Sequence, residues 1–331
     1  MKIVIPMAGM GTRMRPHTLT VPKPLISVAG KPIVQRLVED IASVCNEKIE
    51  EVAFIIGNFG KEVEDTLIKI AESIGAKGSI HYQLQALGTA HAVYCAEPVL
   101  DGNVIVAFAD TLFFADFKLD KDQDGIIWVH RVEDPSAFGV VKTDSDNVIT
   151  DFIEKPKNFV SDLAIIGIYY FKDGKRLKSE LKYLIDNNIN VKGEFQLTDA
   201  LENMKKSGLK FSVGAVREWL DCGNKNATVL TNNRILHNLG SDISKDITLT
   251  NSVIINPCFI APGVTLVNSV VGPYASIGTG TSVTDSIVKD SIVQEQSFIQ
   301  NANIANSMLG SHVRVECKSS DLSLSDYSTF C

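Results

Sequence analysis

From about residue 245 an aliphatic side chain recurs every five or six positions, a spacing that few architectures can satisfy. The series runs Ile254, Ile260, Leu266, Val271, Ile277, Val283, Val288, Val293, Ile299, Ile304, Leu309 and Val315. Small or polar residues fill the intervals, with Asn-Ser at 251–252, 268–269 and 306–307 and Gly-Pro at 272–273. Helical periodicity is absent. A hexad-like repeat of this kind describes a β-helix, in which each short strand points one aliphatic side chain inward before the chain turns a corner. About three such strands close a coil, so the stretch holds roughly four coils. An irregular β-rich tail is the plainer alternative. The β-helix is placed at residues 245–318, with a tail at 319–331. An end coil exposes an unpaired strand edge that a partner or cap must cover, so a homo-oligomer is expected.

Residues 1–237 read differently. Lys2–Ile5, Val52–Ile56, Ser79–Gln83, Asn103–Ala109 and Gly125–His130 are rich in β-branched or aromatic residues, as strands are. Between them, Ile33–Val44, Lys61–Ile74 and Thr89–Cys95 carry apolar residues at three- and four-residue intervals, as amphipathic helices do. This βαβα order predicts an α/β domain with a Rossmann-like, mainly parallel sheet and helices on both faces. In such sheets ligands bind at the carboxyl ends of the strands, so the residues that follow each strand carry the functional information.

The first strand runs into Pro6-Met7-Ala8-Gly9-Met10-Gly11-Thr12-Arg13-Met14-Arg15-Pro16. Glycines in a loop after a strand let backbone N–H groups approach phosphate oxygens. No Gly-Lys-Ser/Thr follows as in a Walker loop, and Met14 stands where a dinucleotide fingerprint needs its third glycine. Arg13 and Arg15 add fixed positive charge, and Pro22-Lys23-Pro24-Leu25 follows within ten residues. The two prolines are expected to hold the backbone extended around Lys23. Together these residues make an anion clamp suited to a triphosphate, since charge must be neutralised as pyrophosphate leaves.

Two carboxylates follow strands: Asp110 after Asn103–Ala109, and Asp221 in Trp219-Leu220-Asp221-Cys222-Gly223. Such a pair could share one Mg²⁺, which takes oxygen ligands and keeps phosphates and waters in its shell. Gln83-Leu84-Gln85-Ala86-Leu87-Gly88-Thr89-Ala90-His91 follows another strand. A Gln amide both donates and accepts, so Gln83 can pair with the edge of a pyrimidine base, while Gly88 would let the ring rest on bare backbone. Gln85 reads as solvent-facing and His91 as a structural histidine near a helix start.

These motifs, Gly9 to Pro16 with Pro22 to Leu25 and Gly30-Lys31-Pro32-Ile33, resemble the opening of the sugar-1-phosphate nucleotidylyltransferases. That family includes glucose-1-phosphate thymidylyltransferase, UTP–glucose-1-phosphate uridylyltransferase and the uridylyltransferase half of the bifunctional N-acetylglucosamine enzyme. The resemblance extends through the trailing repeats and implies that the coil is left-handed. It implies a Mg²⁺-dependent enzyme joining a nucleoside triphosphate, dTTP or UTP, to a sugar-1-phosphate of the glucose-1-phosphate type. Ala8, Gly9, Gly11, Thr12, Arg13, Gln83, Gly88 and Thr89 take nucleotide-binding roles by this resemblance, and Asp110 and Asp221 the metal. Gly139, Glu154, Lys155 and Glu194 take the sugar phosphate, and Arg13, Lys23, Asp110 and Lys155 the catalytic roles. Many relatives have Tyr where Phe138 stands. Thr198 and Asp199 are expected to cap the following helix, and Ile166-Gly167-Ile168-Tyr169 to form a pocket wall.

Composition narrows the alternatives. A net charge of -7 argues against a nucleic-acid or anionic-membrane surface. No apolar stretch approaches the roughly 20 residues of a membrane span, and the N-terminal apolar run is too short for a signal peptide. Six cysteines without CxxC spacing read as reduced thiols of a cytoplasmic protein with no zinc site. Three rivals remain: a non-catalytic nucleotide-sugar-binding regulatory subunit, a GTP-using mannose-1-phosphate guanylyltransferase, and a bifunctional enzyme with an acyltransferase on the β-helix. The last needs a longer coil and a catalytic His, and only His312 lies in the tail region.

Overall fold

A computed structural model of the chain describes residues 1–45, 47–115, 119–317 and 325. The tail expected at 319–331, with Cys331, lies outside the described residues apart from Ser325. The chain divides into two compact units, Met1–Ile26 with Pro32–Asn224, and Ser27–Lys31 with Lys225–Cys331.

In the first unit, β1 (Lys2–Pro6) pairs in parallel with β2 (Glu51–Ile56) on one side and β4 (Val104–Ala107) on the other. Strand β3 (Lys77–Tyr82) extends this parallel half beyond β2. Helices α1 (Ile33–Val44), α2 (Lys61–Ser73) and α3 (Thr89–Tyr94) punctuate these strands, as their apolar periodicity requires. Ribbon strand β5 (Thr111–Phe114) follows β4.

The nine-stranded sheet is mixed rather than mainly parallel. Strand β6 (Gly125–Arg131) is followed by β7 (Gly139–Thr143) and β8 (Ile149–Glu154), which form an antiparallel hairpin. The hairpin closes through Asp144–Val148, with Asp144 N–H donating to Val148 O over 3.0 Å. A link that short cannot make the crossover that parallel strands need. Strand β9 (Leu163–Phe171) then runs antiparallel to both β4 and β6 and joins the hairpin at Ala164–Val140. Helices α4 (Gly174–Asp186) and α5 (Leu197–Lys206) precede β10 (Phe211–Ala215), which pairs in parallel with β6. Strand β11 (Glu218–Asp221) leaves the sheet to form a separate antiparallel ribbon with β5.

The core of this unit runs through both halves of the sheet. Val4, Ala53, Val106, Ile127 and Phe171 are buried together, with Phe152, Phe171 and Phe211 in edge-to-face contact. No helix among the described residues is long and apolar enough to cross a membrane.

The second unit is a parallel β-helix consistent with a left-handed coil. Its short strands stack into three parallel sheets of five, five and four strands. Eight of the twelve aliphatics in the repeat, from Ile260 to Ile299, are buried in one core; Ile254, Ile304, Leu309 and Val315 pack on it from the end coils. The corners explain the polar intervals. Asn251, Asn268, Asp285 and Asn301 all adopt left-handed φ near +50°, a conformation Asn and Asp tolerate better than most residues. Asn251 Nδ2 donates to Asn268 Oδ1, and Asn268 Nδ2 to Asp285 Oδ1, each over 3.0 Å and 17 residues. Inside the same corner, Ser252, Ser269 and Ser286 each accept the backbone N–H one coil further on.

Helix α6 (Lys225–Leu239), read from the sequence as the end of the first territory, groups with the coil. Its buried Asn232 accepts from Ala29 N–H at 3.0 Å and Ser276 Oγ at 2.6 Å.

Candidate active site

The carboxyl ends of β1, β3 and β4 open onto one cavity of about 420 Å³. Among the described residues it is lined by Ala8, Gly9, Gly11, Thr12, Arg13, Lys23, Gln83, Gly88, Thr89, Asp110, Glu194 and Gly223, with apolar neighbours including Ala86, Ala92 and Phe108.

The glycine-rich loop has a definite shape. Gly11 stands at φ +58°, where a Cβ would come within 3.0 Å of both Lys23 and Thr18. Its carbonyl accepts from Met14 N–H and Thr18 Oγ1, each at 2.9 Å, and the side chain of Met14 is fully buried beneath the turn. The loop is thus pinned from below while its upper face borders the cavity.

Lys23 begins a turn of 3₁₀ helix, Lys23–Leu25, rather than extended backbone. Leu25 N–H bonds to Pro22 O at 2.9 Å, and the fixed φ of Pro24 suits a helical turn as well as an extended one. The lysine is only 8% exposed, and its Nζ lies 2.7 Å from Asp110 Oδ2.

Asp110 and Asp221 meet through the ribbon. Asp221 pairs with Thr111 in register, and Cys222 N–H donates to Asp110 O at 2.9 Å, which brings the two aspartates from separate parts of the chain close together. Asp110 lines the cavity, whereas Asp221 lies beside it, outside the lining. Asp221 Oδ1 accepts from Gly223 N–H at 2.7 Å. A Cβ on Gly223 would lie 2.9 Å from Asp221 Oδ1 and 3.4 Å from Arg13 Nη2, so the guanidinium borders the same carboxylate. Burial raises the Asp221 pKa first, and the charge of Asp110 raises it further; the Gly223 N–H, Lys23 and Arg13 act in the opposite direction. Among the described residues no group of three or more His, Cys, Asp or Glu is arranged to hold a metal. A pair of carboxylates suits an ion that takes its remaining ligands from phosphate and water.

On the opposite wall, Gly88 opens α3 at φ +96°. The space a Cβ would need is filled by Phe195, whose backbone O would be 2.5 Å away. Ala90 N–H donates to Phe195 O and Phe195 N–H to Leu87 O, so the Gly193–Leu197 segment is tied down beside the cavity. Gly88 therefore has a packing reason for lacking a side chain. Thr89 Oγ1 accepts from Leu197 N–H at 2.9 Å. Glu194 is held at the rim by Gln196 Nε2 at 3.1 Å.

Gly139, Glu154 and Lys155 form a second group outside this lining. Glu154 faces Gly139 across the β7–β8 hairpin, Thr198 Oγ1 donates to Glu154 Oε2 at 3.4 Å, and Lys155 Nζ lies 3.6 Å from Glu154 Oε1. Lys155 has φ +43° at the strand end and an exposed side chain.

Two further expectations are corrected here. Gln196 is the N-cap of α5 and makes no side-chain cap, while Thr198 and Asp199 lie inside the first turn. Thr198 turns its hydroxyl to Glu154 instead. Ile166–Tyr169 does not line the cavity either. It forms a bulge in β9, where Gly167 O accepts Phe108 N–H at 2.9 Å and Ile166 O accepts Thr111 Oγ1 at 2.6 Å. The segment supports the turn that carries Asp110 from behind.

A contact between Gln83 and His91, at 3.1 Å, had no visible signal beyond their placement on one strand end and the next helix.

Known proteins resemble this chain in sequence and fold. The Nucleotidyl transferase family model matches residues 2–238. The glucose-1-phosphate thymidylyltransferase of Streptomyces antibioticus is 30% identical over 345 residues, covering 95% of this chain and 93% of that protein. The bifunctional protein GlmU of Methanococcus vannielii is 28% identical over 346 residues, covering 96% of this chain and 80% of that protein. A solved UDP-glucose pyrophosphorylase, complexed with UDP-glucose, superposes with a TM-score of 0.58 at 25% identity, covering 72% of this chain and 98% of its own.

Proposed function

This chain belongs to the nucleotidyl transferase family, and from that premise we propose that it transfers the nucleotidyl group of dTTP or UTP to glucose-1-phosphate or a close relative. The products are a nucleotide-activated sugar and pyrophosphate. One observation carries the reading: two cations, Arg13 and Lys23, and the carboxylate of Asp110 line one cavity walled by a glycine-rich loop, with Asp221 close beside them.

An oxygen of the sugar phosphate, already ionised at neutral pH, attacks the α-phosphorus. The new O–P bond forms as the bond to the α–β bridging oxygen breaks, and that electron pair leaves with pyrophosphate. No general base is required, so the residues work by positioning and charge neutralisation. Backbone N–H groups of Ala8, Gly9, Gly11 and Thr12 cradle the phosphates. Arg13 and Lys23 take up negative charge on the leaving group, with Lys23 exchanging its Asp110 contact for phosphate. Lys155 orients the attacking phosphate, while Gly139, Glu154 and Glu194 hold sugar hydroxyls. Gln83, Gly88 and Thr89 hold the base and its ribose side. Asp110 and Asp221 would hold Mg²⁺, whose charge, when bound, offsets that of the phosphates.

The likeness to the GlmU protein along 96% of the chain makes an amino-sugar-1-phosphate with UTP the second pair to examine.

The decisive measurement crosses a panel of nucleoside triphosphates with sugar-1-phosphates and reads pyrophosphate release with Mg²⁺ and with EDTA. Turnover is expected with dTTP or UTP, lost on chelation, and reduced about 10²- to 10³-fold by Lys23→Ala or Asp110→Ala. Full activity in either variant overturns the role assigned to it. No release from any pair leaves a nucleotide-sugar-binding subunit, and preference for GTP leaves a guanylyltransferase.

A further inference from the structure

Gln83 Nε2 lies 3.1 Å from Gly88 O and 3.1 Å from His91 Nδ1. A carbonyl oxygen can only accept, so it is the amide nitrogen of Gln83, not its oxygen, that faces Gly88. That nitrogen has two hydrogens. One goes to Gly88 O, and the other to His91 Nδ1, which must therefore be unprotonated, with the ring hydrogen on Nε2. Burial lowers the His91 pKa, which favours this neutral ring. The other neighbour of Nδ1 is Cys95 Sγ at 3.8 Å, a weak and more distant donor.

With both donors engaged, Gln83 has only Oε1, an acceptor, to offer a ligand in the cavity it lines. His91 is not part of that lining and acts through Gln83. Uracil and thymine carry an N–H donor at N3, whereas cytosine presents a bare acceptor there beside an amino group. We propose that His91 is a positioning residue for base choice: by holding the Gln83 amide with its oxygen toward the cavity, it favours pyrimidines bearing N3–H over cytosine. The assignment rests on the reading above, in which this cavity takes a nucleoside triphosphate.

The test measures kcat/KM for UTP, dTTP and CTP with the preferred sugar-1-phosphate, in the parent enzyme, His91→Leu and His91→Asn. Leucine keeps bulk near the ring but removes the acceptor; asparagine places a carbonyl oxygen near the position of Nδ1. The parent is expected to prefer UTP and dTTP to CTP. His91→Leu should contract that ratio about fivefold, the worth of one hydrogen bond, mainly through KM. His91→Asn should restore it to within about twofold of the parent. Circular dichroism confirms that each variant is folded.

Three results overturn the proposal: a parent enzyme that uses CTP as well as UTP, a His91→Leu enzyme slowed equally on all three with its ratio intact, or a folded His91→Asn enzyme that fails to recover selectivity. Should the parent release no pyrophosphate from any pair, the functional reading fails separately. Calorimetric binding of UDP against CDP to the same three proteins then decides the amide orientation without turnover: equal affinities in the parent, or a preference that His91→Leu leaves unchanged, reject it.

Discussion

Burying an ammonium group is costly unless an anion meets it, and Lys23 meets Asp110. The pair is asymmetric, because the lysine side chain is 10% exposed and the aspartate side chain 37%. Removing the aspartate leaves a buried cation without its carboxylate, whereas removing the lysine leaves a carboxylate that water can reach. Asp110→Ala is therefore expected to cost about 1–2 kcal/mol of stability, discounted for exposure, and Lys23→Ala distinctly less. Urea titration of both variants checks this; equal losses would show that the pair is solvent-screened throughout. The Gly9–Gly11 loop and the charges of Arg13 and Lys23 were legible from residue type and close spacing. The partnership of Lys23 with Asp110, 87 residues away, was not, and neither was the approach of the Phe195 backbone to Gly88. Both arise where distant strand ends meet, and no local period encodes them.

At the scale of elements, the two periodicities transferred to the structure unequally. The five- or six-residue repeat translated almost position by position, because in a coil one inward side chain per strand is the whole core. The sheet was clear only as far as β4, where each strand alternates with a helix. Beyond residue 125 the links shorten and hairpins replace crossovers, so the βαβ pattern no longer predicts the pairing. Strand Val264–Val267 of the coil illustrates the code, since Val264 and Leu266 are buried while Thr265 and Val267 are only half-buried. Leu266→Ala is expected to destabilise the coil by about 3 kcal/mol, and Thr265→Ala by less than about 0.5 kcal/mol. Thermal unfolding of the two variants tests it, and similar losses would mean that the inward positions have been misassigned.

For the molecule as a whole, the division of the chain does not follow a single cut. Ser27–Lys31 belongs with the coil although the residues on both sides belong to the first unit. Helix α6 joins it, its buried face including Val229, Asn232, Ile235 and Leu236. Composition places the boundary near 237 because helical periodicity persists to that point, but what the helix packs on decides its membership. A chain ending at residue 237 would keep most of α6 and lose the strands that cover it. Amides of residues 228–236 are expected to exchange with solvent far faster in that shortened chain than in the full protein, as followed by hydrogen–deuterium exchange. Unchanged protection would assign the helix to the first unit.

Each storey of the coil is joined to the one above and the one below by strand pairs and corner bonds that repeat at 17 residues and later at 16, while α6 and Ser27–Lys31 bond a few storeys from the side. Such a tower can be raised or lowered by whole floors, because a duplicated storey meets the same neighbours as its original. An odd residue slipped into a strand, by contrast, turns the side chains beyond it toward water unless the next corner absorbs it, as happens where the repeat shortens from 17 residues to 16. Relatives that share the enzyme unit can thus differ in tower height at little cost to the fold.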